Sequence, residues 1–507
     1  MLSTHNTAPS FFLSLFLFWS IIEPAGANEL LIEDVTLISP ERNSPLNHAY
    51  LRVNDGIITE VSTSKLRPEV IEGKQPSVRV DGRGRYLIPG LIDSHVHLAK
   101  VPSMTWRHKQ QHPDLERSYL KQQPRSYLYF GYTSLIDLNV FSPEAIETFT
   151  AQTLHPEVFT CSKHLDIANG HGMMEEDVKT RLLNNPNFLY DHYQKQHLNG
   201  EYDLSQHTAK ATVKRIKDDG GVCIKTYYEN GYGGSEMVDF DIPSPQIIKD
   251  VAVEGKKQGI PTLLHANSWT SQRVALLADV DIIAHGMFHW DEYRHEVEVP
   301  APIRATLKEI ASRGMGYQPT LHVLDAQRSM FDANYLNNSS LEKVYPKKLL
   351  GWYRSDEGQW FKSRIRKYLP RHLHELDDEA MHEHFSKYYQ HNVKVLEVLA
   401  EYDANLLFAT DTIIGQSYAN APGLSGYIEM QAWNSAGVSL RKILQAATIN
   451  NAKAFNLEAS IGSIEVGKKA NLLLLTKNPL KTVEAYNSIE WIFINGQAVA
   501  RQTLAAD

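Results

Sequence analysis

His95 and His97 stand two residues apart at the end of the apolar run Tyr86-Leu-Ile-Pro-Gly-Leu-Ile-Asp-Ser-His-Val-His-Leu98. On a strand, residues i and i+2 point to the same face, so this pair can offer two neutral imidazoles to one cation from a rigid backbone. Taken alone, the pair also fits two partly exposed histidines at a strand end. What shifts the reading is the set of polar residues at the ends of other short apolar runs: Lys225 in Val222-Cys-Ile-Lys225, His265 in Leu263-Leu-His-Ala266, His285 in Ala284-His-Gly286 and Asp411 in Ala409-Thr-Asp-Thr412. Imidazoles suit Zn²⁺, and an aspartate can bind a cation and accept a proton from water. Lys225 discriminates between readings, because a buried ammonium is costly. It is either salt-bridged at a rim or a neutral amine whose pKa burial has lowered. His171 lies in Asn169-Gly-His-Gly172, where glycines let the backbone bring an imidazole close to a substrate; a plain turn histidine is the alternative. Tyr227, Tyr228 and Tyr232 are candidate substrate contacts, and nothing in the sequence selects one. His372, His374, His382, His384 and His391 follow helical spacing only in part and read as surface residues.

The elements that must position these groups are short apolar runs alternating with helical patterns, which predicts α/β architecture with parallel strands. Eight runs fit: Leu87–Leu98, Thr133–Leu138, Val158–Ile167, Gly221–Tyr228, Ile260–Ala266, Asp281–His285, Gly314–Thr320 and Asn405–Asp411, with helices in the gaps such as Ser244–Gln258 and Ser439–Ala454. Eight such units predict a (β/α)8 TIM-like barrel over residues 87–455, whose catalytic groups belong at the C-terminal strand ends. An open doubly wound sheet is the alternative, but no Gly-x-Gly-x-x-Gly follows a first strand. Residues 321–404 are too long for a structureless loop. Leu341–Tyr353, Gly358–Tyr368 and Asp378–Ala400 have helical patterning, so a helical insert over about 325–398 is expected at the catalytic mouth as a lid, or else as an outer packing or oligomer contact.

Strand texture flanks this region at both ends. Leu30–Ile38, Ala49–Val53 and Ile57–Val61, with a turn at Asn54-Asp-Gly56, are matched by Ala470–Thr476 and Trp491–Ile494 before Asn495-Gly496. Residues 28–86 and 456–507 are therefore expected to form one small β-sandwich domain from the two chain ends. The apolar run Phe11–Ile22, followed by Ala25-Gly-Ala27, reads as a signal peptide spanning residues 1–27, although no Lys or Arg precedes it and an uncleaved anchor is the alternative. Export without a stable membrane anchor is the expectation. The two cysteines, Cys161 and Cys223, exclude a disulfide framework and read as buried thiols, with a single disulfide left open. A net charge of −8 with no long basic run argues against nucleic-acid binding. A small-molecule substrate remains, and homo-oligomerisation is left open.

With these residues assembled, the chain resembles the amidohydrolase superfamily over nearly all its mature length. The resemblance rests on Ile-Pro-Gly-Leu-Ile-Asp-Ser-His-Val-His, on Gly131–Asp137, on Ser439–Ala454 and on Gly462–Ala470. Asn471 stands where many relatives carry Asp, and Ala409 where Gly often precedes the Thr-Asp pair. Asn169-Gly-His-Gly172, Ile224-Lys-Thr226 and Ala284-His-Gly286 are most similar to the imidazolonepropionase-like and prolidase-like branch, which includes metallo-dipeptidases and N-acyl amino acid hydrolases. The resemblance implies a divalent metal centre, expected to be two Zn²⁺. His95, His97 and Asp411 would hold one ion and His265 and His285 the other, bridged by a carboxylated Lys225. If Lys225 is unmodified, one ion on His95, His97, His265 and Asp411 is implied, with His285 orienting water. Asp411 would be the general base and His171 would polarise the scissile carbonyl. The activity implied is hydrolysis of an amide-type bond in a dipeptide or N-acyl amino acid. A deaminase or cyclic-amide hydrolase, a lactonase or phosphotriesterase, and a non-catalytic binding protein are the rivals; the complete ligand set argues against the last.

Overall fold

Leucine- and isoleucine-rich runs bounded by Gly, Pro and Asn set short strands along most of the chain. The computed structural model describes residues 29–68, 77–173, 177, 179–185, 187–196, 198, 200–229, 240–369, 373–413 and 417–507. The expected signal segment 1–27, Tyr232 and His372 lie outside these residues. The N-terminal strands are β1 (Leu30–Leu37), β2 (Leu46–Asn54), β3 (Ile57–Ser62), β4 (Val78–Asp81) and β5 (Tyr86–Pro89). Seven parallel strands follow: β6 (Leu91–Val96), β7 (Tyr132–Asp137), β8 (Glu157–Thr160), β9 (Ile224–Tyr227), β10 (Thr262–His265), β11 (Ile282–Ala284) and β12 (Gly316–Gln318). The chain closes with β13 (Leu472–Leu475), β14 (Ile489–Ile494) and β15 (Gln497–Ala500).

The two chain ends do meet, but in hydrogen bonding they form one eight-stranded sheet, ordered β15-β14-β13-β5-β1-β2-β3 with β4 beside β1. β5 joins the halves, running parallel to β1 and antiparallel to β13. The sheet curls back on itself, since Ile58 N donates to Lys468 O at 2.9 Å and Gly467 N to Ile58 O at 2.8 Å. This encloses a separate core of Leu30, Ile32, Leu51, Val53, Leu472 and Phe493. Both hairpin turns need left-handed residues: Asp55 and Gly56 have φ of 53° and 77°, and Asn495 and Gly496 of 52° and 74°. The turns abut, so that a Cβ on Gly56 would lie 3.3 Å from Gly496 N.

The run expected as one first strand, Leu87–Leu98, is thus two strands. Pro89-Gly90 divides β5, in the terminal sheet, from β6, in the parallel array. That array consists of two sheets, β6-β7-β8 and β12-β11-β10-β9. The run Asn405–Asp411 is not a regular strand, yet it lies between them. Leu407 N donates to Tyr317 O at 2.9 Å on one flank, and Ser94 N to Phe408 O at 3.1 Å and Asp411 N to His95 O at 2.8 Å on the other. At the opposite margin Val222 N donates to Thr160 O at 2.9 Å and Leu165 N to Lys225 O at 2.8 Å. Cys161 and Cys223 cross this margin as a disulfide, with Cα atoms 4.5 Å apart. The reading of two free thiols is therefore corrected: adjacency of β8 and β9, invisible in sequence spacing, pairs them.

Expected helices are present where capping chemistry marks them. Ser244 caps Pro245–Gln258 by accepting from Ile247 N, and Gly259 ends it at φ 66°. Ser439 caps Leu440–Gln445, which continues through a π turn, Ala446–Asn450, into Asn451–Ala454. From there Asn451 Nδ2 donates to Ile92 O at 2.9 Å and Phe408 O at 2.7 Å, tying β6 to the 405–411 segment beneath the site.

The insert is helical, with Lys347–Tyr353, Trp360–Tyr368 and Asp378–Glu401. It packs on loops that follow parallel strands: Trp360 Nε1 donates to Ser103 O at 2.8 Å, and Asn392 Nδ2 to Pro319 O at 2.9 Å. Leu341, Val344, Leu349 and Tyr353 are fully buried within the main core. His391 is buried too, its ring stacked on Trp290 at 3.9 Å, so the surface assignment fails there. His374, His382 and His384 are half-buried. Among the described residues no helix is long and apolar enough to cross a membrane.

Candidate metal centre

Five of the expected ligands come from the C-terminal ends of four parallel segments. His95 sits within β6 and His97 just past it, His265 ends β10, His285 follows β11, and Asp411 follows the segment between β12 and β6. Asp411 Oδ1 lies 3.1 Å from Nε2 of both His95 and His97, and its Oδ2 3.8 Å from His285 Nδ1. The imidazoles continue as a chain, with centroids 5.0 Å apart for His95 and His285, 4.4 Å for His285 and His265, and 4.8 Å for His265 and His171. Asp411 and His285 hold φ of 56° and 77°. That left-handed conformation costs a non-glycine residue about 1–3 kcal/mol, a strain common where side-chain aim matters more than stability.

Burial sets the protonation states. It pushes His95 and His265 down to about 3 and His285 well below the usual histidine value, so their rings are neutral donors. Burial would raise Asp411, but the facing His95, His97 and His285 outweigh it and hold the carboxyl well below the usual range. Lys225, the second residue of β9, is 1% exposed, and burial pushes its amine down to about 7 against the opposing pull of Asp411. Its Nζ has no hydrogen-bond partner among the described residues. A rim lysine in a salt bridge is not what the described residues show. Among the described residues two groups of potential metal donors emerge, His95 with His97 and Asp411, and His171 with Glu229 and His265. Buried neutral imidazoles, an ionised carboxylate and a deprotonatable amine without a partner fit a divalent metal centre.

His171 lies in the short turn His171–Met173 after β8, its ring 5.7 Å from Tyr227. Burial and the neighbouring His265 lower its pKa to about 4. Asp166 shapes this turn, accepting from Ile167 N at 2.8 Å and Gly172 N at 2.6 Å. A Cβ on Gly170 would lie 2.3 Å from Asp166 Oδ1, which is why glycine is required there. Tyr227 is buried beside both His171 and His265, while Tyr228 is half-buried.

Several contributing residues escaped the sequence reading. Asp93 accepts from Thr410 Oγ1 at 2.6 Å and from His95 N at 3.2 Å, locking the two ligand-bearing segments together. Asp137 accepts from Leu98 N at 2.9 Å and lies 3.8 Å from His97 Nδ1. His164 is buried, and neither ring nitrogen has a hydrogen-bond partner among the described residues. Glu229 accepts from His265 Nε2 at 2.8 Å. The usable signal was position: Glu229 lies four residues beyond Lys225, and Asp137 ends the second apolar run.

The profile of the amidohydrolase family matches residues 86–499. Among solved structures, a Xaa-Pro dipeptidase with bound methionine is similar at 18% identity and TM-score 0.60, over 93% of this chain and 100% of that one. A putative prolidase from Bifidobacterium longum is similar at 20% identity and TM-score 0.57, over 93% and 94%. The A. niger ochratoxinase is similar at 18% identity and TM-score 0.61, over 94% and 96%. A curated relative, 5-methylthioadenosine/S-adenosylhomocysteine deaminase of Halalkalibacterium halodurans, is 29% identical over 69 residues, which is 13% of this chain and only 15% of that protein's length. These likenesses show a TIM-barrel-type fold with an additional domain.

Proposed function

This chain belongs to the amidohydrolase family and is a metal-dependent hydrolase acting on carbon–nitrogen bonds; from that premise we propose that it cleaves the amide bond of a dipeptide or N-acyl amino acid outside the cytoplasm. The observation that carries the reading is the convergence of His95, His97 and Asp411 beside a buried Lys225 whose amine has no hydrogen-bond partner among the described residues. His95, His97 and Asp411 would hold one divalent ion and His265 and His285 a second, with the segment 405–411 completing a closed (β/α)8 ring. Near neutral pH the Lys225 amine can attack CO2: the N–C bond forms as one C–O π bond opens, nitrogen loses a proton to solvent, and the resulting carboxylate would serve as the ligand shared by the two groups. When bound, the ions lower the pKa of water and polarise the substrate carbonyl. Asp411, held ionised, accepts the proton of the attacking water and passes it to the leaving amine. His171 would face the carbonyl oxygen, held in place by the Asp166 turn.

Support for an amino-acid product comes from the mouth. Lys100 Nζ rests 4.3 Å from the Phe141 ring, which lies 5.6 Å from His97, giving a cation and an apolar face for a carboxylate-bearing substrate. The prolidase and dipeptidase neighbours support the same class. The disulfide supports an oxidising compartment. A deaminase is the second reading, favoured by the short local likeness to one. Incubation with a panel of dipeptides, N-acyl amino acids and aminopurine nucleosides separates them. Release of free amino acid is expected; ammonia from nucleosides with no amino acid would overturn the substrate class.

A further inference from the structure

Glu229 stands two residues beyond β9 and is 1% exposed, a carboxylate placed inside the protein at the edge of the ligand cluster. Its Oε2 lies 2.8 Å from Nε2 of His265. Asn267 Nδ2 donates to the same oxygen. A carboxylate only accepts, and an amide NH2 only donates. The arrangement therefore has one consistent proton assignment: Asn267 aims the carboxylate, and His265 donates its Nε2 proton to it.

We propose that Glu229 is a positioning residue of the metal centre, fixing His265 as the tautomer protonated on Nε2 so that Nδ1 is its one metal donor. A neutral imidazole freed from this partner would divide between two tautomers, only one of which presents a lone pair on the side away from Glu229. Histidines that ligate metals commonly donate their other N–H to a carboxylate, which fixes ring and tautomer together. The second donor group, in which His171, Glu229 and His265 offer atoms within 4.8 Å of one another, also permits Glu229 to be a ligand itself. That is a different role and gives a different pattern of variants. The inference rests on the reading of His265 as a metal ligand.

The test uses the full chain with Glu229→Leu and Glu229→Gln. Gln keeps an acceptor for His265 but no charge; Leu keeps neither. Zinc affinity is measured by competition with a chelating indicator, alongside zinc stoichiometry. The tautomer of His265 in metal-free protein is read from histidine ¹⁵N shifts, assigned with His265→Gln. Expected are an Nε2-protonated ring in the unsubstituted protein and in Glu229→Gln, a roughly 10–100-fold loss of affinity for one zinc in Glu229→Leu, and recovery of most of it in Glu229→Gln. An Nδ1-protonated His265 in the unsubstituted protein would overturn the proposal, and this holds even if the Leu variant does not fold. Unchanged zinc affinity in a folded Leu variant would overturn it too. Equal losses in Leu and Gln would make Glu229 a ligand instead. If the unsubstituted protein binds no zinc, the metal-enzyme reading itself fails, a result distinct from each of these.

Discussion

At the metal centre, burial makes His95, His265 and His285 neutral through the physiological range, so protons do not compete with a cation for them. Burial would lower His97 as well, but Asp137 and Asp411 outweigh it and hold this ring above the usual histidine value, so His97 must give up a proton to a cation. Asp411 is the ionised carboxylate of the set and the group with most to lose. Asp411→Asn should retain the fold and lower turnover by about 10²–10⁴-fold, and His95→Ala should lose zinc; metal analysis with rate measurement on the folded variants checks both, and full activity in either contradicts the assignment. Lys225 carries a pH signature. With its amine near 7, it is mainly ammonium below that value and cannot attack CO2, and mainly amine above it. Reactivation of metal-free, bicarbonate-depleted protein by zinc and CO2 should therefore rise through about pH 7 and fade below about pH 6. Reactivation that is flat across this range would count against the carboxylated lysine. The ligands were legible because each closes an apolar run. Asp137 closes an apolar run as they do and could have been read with them. Glu229 and Asp93 were not legible, because an acid that supports a ligand from outside a run's end is found only when its partner's position is known.

Among the elements, the parallel strands were visible as apolar runs, but their ends were not. The expected third strand, Val158–Ile167, is regular only to Thr160 in β8: Ser162 turns left-handed at φ 60°, and beyond it side chains share the backbone bonding, Asn139 Oδ1 accepting from His164 N and Asp166 from Ile167 N. Side-chain bonds of this kind cannot be read from periodicity. The insert shows the reverse, since its helices were legible and its role in the core was not. Helix Asp378–Glu401 is seated by Asn392 against Pro319 and Gly286, beside His285. A Cβ on Gly286 would lie 1.7 Å from Asn392 Oδ1, a group that is fully buried. Gly286→Ala should therefore destabilise the protein by about 1–3 kcal/mol through overpacking and weaken zinc binding at His285. Urea denaturation and zinc titration check this, and a variant equal to the parent in both would show that the helix is not seated there.

At the scale of the whole molecule, both chain ends complete one sheet, the disulfide joins β8 to β9 under the site, and the insert overhangs the loops after the strands. Strand content at both ends pointed to their meeting; that Tyr86–Pro89 is the joining strand did not follow, because it reads as the start of the run ending in His95 and His97. Cysteine pairing was hidden for a related reason, as the partners are 62 residues apart in sequence and become neighbours only once β8 and β9 do. The disulfide and the apolar run Phe11–Ile22 together predict export. N-terminal sequencing of secreted or periplasmic material should begin near Asn28, and intact Met1 recovered from the cytosol would remove the prediction. The central claim is a two-metal hydrolase built on a carboxylated lysine. It is tested most directly by anomalous difference density at the zinc edge, from crystals grown near neutral pH with zinc and bicarbonate. The account predicts two peaks, one at His95, His97 and Asp411 and one at His265 and His285, with density for a carboxylate extending from Lys225 Nζ between them. A bare Lys225 amine with a single peak, or with none, would contradict it.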